Sequence, residues 1–145
     1  MDNQLPDEKA YRFVAVLNKK IAAGRLMNAL GHMAAGLAGG SGKASEMCFL
    51  EYGAKEGASH PNISHFGFIV LAADNGNQIR TVRKEALTRG VSFTDFTNTM
   101  TVGTSEEQRA ATRATPDEEL EYYGICMFGP TTVLQEFTKK FSLFR

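Results

Sequence analysis

The chain has 145 residues, of which 43% are hydrophobic and 22% charged, enough for one core and too few for two. That composition excludes disordered and fibrous classes. Sixteen basic side chains balance sixteen acidic ones, which argues against a dedicated nucleic-acid binder, since such binding rests on excess positive charge. The first ten residues, read as a flexible tail, have no apolar segment of the kind a signal peptide needs. The longest apolar run, Phe66 to Ala73, is too short to cross a bilayer. A cytoplasmic protein with no membrane partner is expected, its single α/β domain running over 11-145.

Arg12 to Asn18 reads as a buried strand. A basic turn with Lys19 and Lys20 follows, closed by Gly24. From Arg25 the apolar residues Leu26, Leu30, Met33 and Leu37 recur at helical spacing, while Arg25, Asn28 and His32 at i, i+3 and i+7 share the opposite face. Cations, a polar ladder and the free N–H groups of a helix start meet there, a setting suited to an anion, a carbonyl oxygen or a phosphate.

Gly39-Gly40-Ser41-Gly42-Lys43 invites a phosphate-loop reading, but Leu37 stands where the first glycine belongs and Ala44 where Ser or Thr must follow the lysine. It reads as a glycine-rich helix exit. Glu46 to Tyr52 suggests a short strand or turn, and Gly53 to Asn62 a polar loop. His60 and His65 have no cysteine or carboxylate cluster beside them, so no metal is expected, and no cofactor motif occurs. Cys48 and Cys126 lie in apolar segments and make no redox or metal pattern. His65 to Ala73 is apolar throughout and reads as a central strand covered on both faces.

Asp74 to Asn77 supplies a turn and a cap for a helix whose stripe is Ile79, Val82, Ala86 and Leu87, with Arg80 and Arg83 outside it and Gly90 at its end. A strand follows from Val91 to about Met100, giving a βαβ order with parallel neighbours. Residues 101-121 form a polar insert with two helix starts, a capping box at Ser105 to Gln108 and Pro116 in a first turn. Tyr122 to Phe128 is a strand ended by Gly129-Pro130. Thr132 with Gln135 can cap a last helix whose apolar residues, Val133 to Phe144, keep helical spacing to the end.

Three stretches resemble the type II peptidyl-tRNA hydrolases. Gly24-Arg25 stands where that family has Gly-Lys, and Gly31-His32-Met33-Ala34 where its helix has Ser-His-Ala. Asp95-Phe96-Thr97-Asn98-Thr99 aligns with its Asp-Ala-Gly-x-Thr, and Ile125 to Pro130 with its closing strand and Gly-Pro. Ala29 replaces the family's glutamine, and Arg25 puts a planar fork where a point charge would be. The resemblance implies a three-layer sandwich, a mixed four-stranded sheet with helices on both faces, and a homodimer. It also implies a site built from Arg25, Asp95 and Thr99. tRNA would then be a partner.

The chemistry expected of that site is hydrolysis of an acyl ester or amide. Asp95 would hold or deprotonate water, Arg25 and the helix-start N–H groups would stabilise an oxyanion, and Thr99 would orient either partner. His32 adds a second proton-transfer group, since an imidazole titrates in the physiological range. Lys19, Lys20, Asn28 and Thr97 would contact the substrate. In extended chain Asp95, Thr97 and Thr99 share one face, which should meet the Arg25 face of the helix. The alternative is a non-catalytic dimeric module that binds a small anion or metabolite, favoured by Ala29 and the zero net charge; an Asp95–Arg25 ion pair without chemistry would be the plainest outcome.

Overall fold

The structure, a computed structural model, describes residues 4–145; the first three residues of the expected tail lie outside it. Strand β1 (Tyr11–Asn18) leads into α1 (Ala23–Gly40), followed by the β2 (Phe49–Gly53) and β3 (Ser59–Ser64) hairpin, β4 (Gly67–Ala73) and α2 (Gly76–Arg89). Then come β5 (Ser92–Thr97), α3 (Ser105–Ala114), β6 (Tyr122–Pro130), α4 (Thr131–Thr138) and the two-residue β7 (Ser142–Leu143). Five strands form one sheet in the order β5-β6-β1-β4-β7, and β2 and β3 pair only with each other. β1 and β4 are parallel, whereas β6 runs antiparallel to both β1 and β5.

The four-stranded sheet expected from the sequence is therefore a five-stranded mixed sheet plus a separate two-stranded one. The strand after α2 is no neighbour of the strand before it. β6 and β1 lie between them, because β6 returns antiparallel through the middle of the sheet. The chain steps one way from β1 to β4 and the other way from β4 to β5. Right-handed crossovers then put α1 and α2 on opposite faces.

Alternation along each strand sorts the core into two layers. Phe13, Ala15 and Leu17 of β1 face α1, where Leu26, Ala29, Met33 and Leu37 are buried. Val14 and Val16 face α2 and α4, against Ile79, Val82, Ala86 and Leu134. β6 is buried along all but its last residue, so it and not β4 is the strand covered along its length. β4 exposes Gly67 and Phe68 at its start, and its outer side meets only β7, at Leu71 and Ala72.

Helix ends follow local chemistry. Asn75 caps α2 by accepting from the Gln78 N–H, and Gly90 closes it in the left-handed region at φ 65°. α3 begins one residue earlier than its spacing suggested, with a capping box between Thr104 and Glu107, and the second start in the insert is a single 3₁₀ turn over Asp117–Glu119. α4 takes no side-chain cap from Thr132 and Gln135. It starts behind Pro130 and ends at Thr138, and the chain then turns back so that Ser142–Leu143 add to the sheet. Among the described residues no helix is long and apolar enough to cross a membrane.

Candidate functional site

A cavity of about 800 Å³ opens between the N-terminal half of α1, the outer strand β5 and the segment from Met100 to Gln108, within the size range of small-molecule clefts. Gly24, Arg25, Asn28 and His32 line one wall, so the polar ladder read from the sequence does face a cavity, with all four residues exposed to it. Thr94, Asp95 and Phe96 line the second wall, and Met33, Phe96, Met100 and Tyr123 supply apolar surface. The His32 ring lies 6.0 Å from that of Phe96, centroid to centroid. Ser105 and Gln108 of α3 complete the rim.

The start of α1 is open. Its N-cap residue Ala22 makes no side-chain cap, no acidic residue stands in the first turn, and a β-carbon placed on Gly24 would meet nothing within 4 Å. The N–H groups of Arg25 and Leu26 both close onto Ala22 O, leaving those of Ala23 and Gly24 without a helical acceptor. Arg25 makes no ion pair among the described residues. An uncapped positive helix end beside an unpaired guanidinium is a ready anion site.

Asp95 does not join that face through its side chain. Thr94 and Phe96 point towards α1, where the Thr94 hydroxyl donates to Met33 O at 2.8 Å and Phe96 enters the core. Alternation therefore turns Asp95 to the α2 side, opposite Ile125, where its carboxylate accepts from Arg83 Nε at 2.9 Å. The expected meeting of the Asp95 carboxylate with Arg25 is replaced by this pair, although Asp95 also borders the cavity. Burial works against the charge on Arg83, but the hydrogen bond and charge of Asp95 outweigh it and raise the guanidinium pKa. The guanidinium also lies over the Phe93 ring.

Thr97 and Thr99 are likewise committed elsewhere. Thr112 donates to Gln108 O at 2.8 Å, and Thr97–Thr99 and Thr99–Thr112 are each 2.8 Å apart. A hydroxyl has one proton, so with Thr112's proton spent on Gln108, Thr99 donates to Thr112 and Thr97 to Thr99. The threonines fasten α3, none of whose residues is buried, to the end of β5. Lys19 pairs with Asp74 at 2.7 Å, across the ends of β1 and β4, and helps hold that carboxyl below its usual range. Neither Lys19 nor Lys20 lines the cavity.

The cavity also uses residues that sequence reasoning passed over. β6 carries a register shift against β5 between Phe96 and Thr97, opposite Gly124 and Tyr122. The irregularity turns Tyr123 to the α1 side and Tyr122 to the α2 side, the reverse of what strict alternation from Ile125 would give. Tyr122 then donates to Asp117 at 2.7 Å under the Arg80 guanidinium, and its phenol is pushed up to about 12 by burial and by Asp117. In the run YYGICMF every residue is compatible with burial, so no polar alternation marks the shift. Ser105 and Gln108 lay in a segment read only for helix starts.

Residues 11–145 match the family described as protein of unknown function (DUF2000). The chain belongs to the DUF2000 family. The fold of this DUF2000 protein is similar to that of a protein of unknown function, Atu0240, from Agrobacterium tumefaciens strain C58, at a TM-score of 0.79 and 14% identity over 94% of this chain and 98% of the other. That likeness is one of fold. No curated protein matches the chain. Among its described residues no three His, Cys, Asp or Glu side chains stand close enough to hold a metal ion.

Proposed function

We propose that the cavity beside α1 binds a small anionic ligand with an apolar arm. The anionic group would meet the free N–H groups at the start of α1 and the Arg25 fork, with Asn28 and Gln108 as further hydrogen-bonding groups, and the arm would lie along Met33, Phe96, Met100 and Tyr123. The observation that carries this reading is Arg25, unpaired at an uncapped helix start on the wall of a cavity with an apolar lining. Isothermal titration with short- and medium-chain carboxylates, and with their neutral amides as controls, tests it. Arg25→Ala removes a charge-assisted bond of about 1.5–3 kcal/mol, so affinity for the acids should fall about 10- to 150-fold. Equal affinity in wild type and variant, or equal binding of acid and amide, would refute it.

A second reading, hydrolysis of an acyl ester or amide, is favoured by His32. Its ring stands on the same helix face as Arg25, in the wall of the same cavity, so a proton-transfer group and an oxyanion partner border one space. The resemblance of Gly24-Arg25 and Asp95-Phe96-Thr97-Asn98-Thr99 to the type II peptidyl-tRNA hydrolases supports this reading, and peptidyl-tRNA would be one substrate of that class. With Asp95 held by Arg83, the reaction would depend on His32. Turnover of p-nitrophenyl esters that survives Asp95→Asn and is lost in His32→Gln supports hydrolysis; a wild type inert on these esters and on peptidyl-tRNA leaves the binding reading alone.

A further inference from the structure

Beyond the rim formed by Met100, Ser105 and Gln108, the surface of this DUF2000 protein does not close. A trough of about 580 Å³ adjoins the cavity there, sharing those three residues with it and lined further on by Arg109, Thr112 and Arg113. On α3, Ser105, Gln108, Arg109, Thr112 and Arg113 fall at i, i+3, i+4, i+7 and i+8, so they form one face of the helix. Thr112 commits its hydroxyl to Gln108 O and to Thr99, which leaves the two guanidinium groups as the free polar groups of the far end. At a rise of about 1.5 Å per residue, Arg109 lies about 6 Å and Arg113 about 12 Å beyond Ser105.

Elsewhere the fold gives its arginines carboxylates. In α2, Arg80 pairs with Asp117, Arg83 with Asp95, and Arg89 with Glu85 and Glu136. Arg109 and Arg113 make no ion pair among the described residues, although Glu106 lies one turn before Arg109. The other acid of that turn, Glu107, is drawn back into the capping box with Thr104. Two arginines one turn apart repel and destabilise a helix, and α3 buries no residue that would offset this. Arg113, in the last turn, is accounted for by the negative C-terminal end of the helix; Arg109, in the middle of α3, is not. The charge at that helix end is only about half a unit, so two full positive charges outweigh it. No acidic side chain lines the trough, and the one acid bordering the cavity, Asp95, is held by Arg83.

We propose that the trough is a second anion subsite, in which Arg109 and Arg113 hold a phosphate monoester at the far end of the ligand whose first anionic group meets Arg25. For the near end of that ligand, the proposal rests on the reading of the cavity given above. One guanidinium fork satisfies a carboxylate, whereas a phosphate monoester, with three free oxygens and a charge of about −1.5 to −2 at pH 7, takes two. An apolar arm along Met100, which borders both spaces, joins the two ends.

Isothermal titration of the full chain with octanoate and dodecanoate, and with the same acids carrying a terminal phosphate monoester, tests the inference. The phosphate should tighten binding about 10-fold or more, as a charge-assisted bond does. Arg109→Gln with Arg113→Gln keeps good helix formers in α3, so it should abolish that gain while the plain acids bind as they do to wild type. No gain in wild type, or a gain that survives the double variant, overturns the inference and leaves the cavity reading standing. If no plain acid binds, the cavity reading fails and octyl phosphate decides the subsite: affinity lost in the double variant supports it, and affinity unchanged or absent overturns it. A single-stranded RNA that binds as tightly as the phosphate esters, and weakens as much in the double variant, would mark a nucleic-acid backbone site and overturn it too. Should the double variant lose helical signal in the far UV, Arg109→Lys with Arg113→Lys decides, since it keeps the charges and removes the forks. The gain should then shrink, and a gain of unchanged size overturns the subsite.

Discussion

Gly124 of β6 lies under Met33 of α1, and adding one methyl group there measures how tightly the cavity floor is held. A β-carbon on Gly124 would lie 2.7 Å from Leu17 Cδ2, 2.9 Å from Met33 Cε and 3.2 Å from Val16 O. Either side chain alone could rotate away, but both are buried in the α1 core, and the carbonyl belongs to the central strand β1. Overpacking of this kind costs about 1–3 kcal/mol. The lower chain entropy of unfolded alanine returns about 0.4–1 kcal/mol. Gly124→Ala should therefore lose about 1.3 kcal/mol at the middle of these ranges and at most about 2.6 kcal/mol, or about 4 °C and at most about 9 °C in melting temperature for a domain of this size. Circular dichroism melts test this, and Met33→Ala should cost less in the Gly124→Ala background than in the wild type, a coupling expected of groups in contact. Because Met33 also lines the cavity, Gly124→Ala should weaken carboxylate binding as well. An unchanged or higher melting temperature would show that α1 floats on the sheet more freely than these distances imply.

Thr112→Val leaves the Thr99 hydroxyl without its acceptor and cuts the chain that fastens α3. Stability should fall by about 0.5–1.5 kcal/mol, with amide exchange accelerated over Ser105–Ala114 more than elsewhere; uniform exchange would mean that α3 is held by other contacts. The Tyr122 phenol, pushed up to about 12, should make stability level below about pH 10 and falling from there towards pH 12, because the unfolded chain releases that proton first. Tyr122→Phe should flatten this alkaline limb, and it should also move the acid limb, since the Tyr122 hydrogen bond is the main cause holding the Asp117 carboxyl below 3.8. Urea titrations from pH 3 to 11.5 would show both, and an alkaline limb unchanged in Tyr122→Phe would refute the assignment.

The sequence made the α1 side of the site legible because a helix face is set by local spacing. Arg25, Asn28 and His32 at i, i+3 and i+7 could hardly fall elsewhere once the stripe of Leu26, Met33 and Leu37 was buried. Strand parity is different, since it says which residues share a face but not which face meets which helix. Asp95 and Thr97 have the same strand parity, yet the pairing of β5 with β6 turned Asp95 to Arg83, and only pairing between distant segments decides that. The first strand of the hairpin falls within the short strand or turn read at Glu46 to Tyr52, and the second escapes the sequence for a local reason. Pro61 and Asn62, the latter at φ 60°, interrupt the alternation by which a strand is recognised. β7 is two residues long and depends on Val70 and Leu71 for its existence, so nothing within Lys139 to Arg145 could announce it.

The cavity's position follows from the same pairing. A sheet edge with an unburied insert beside it leaves room that a packed helix would fill. α1 buries only four residues and presents Gly24 and Gly31, around which a β-carbon would meet nothing within 4 Å. α3, which borders the opening, contributes no buried residue and is joined to the body through hydroxyl groups rather than through apolar contact. Stabilising a domain of this kind calls for a covered seam, yet here polar groups line it and Arg25, without an ion pair among the described residues, stands on its wall. Such local conflict with good packing is characteristic of sites kept for a ligand. By that argument the side chains to vary first are those on the seam, Arg25, His32 and Gln108, and Asp95 is the control that tells strand face from chemistry.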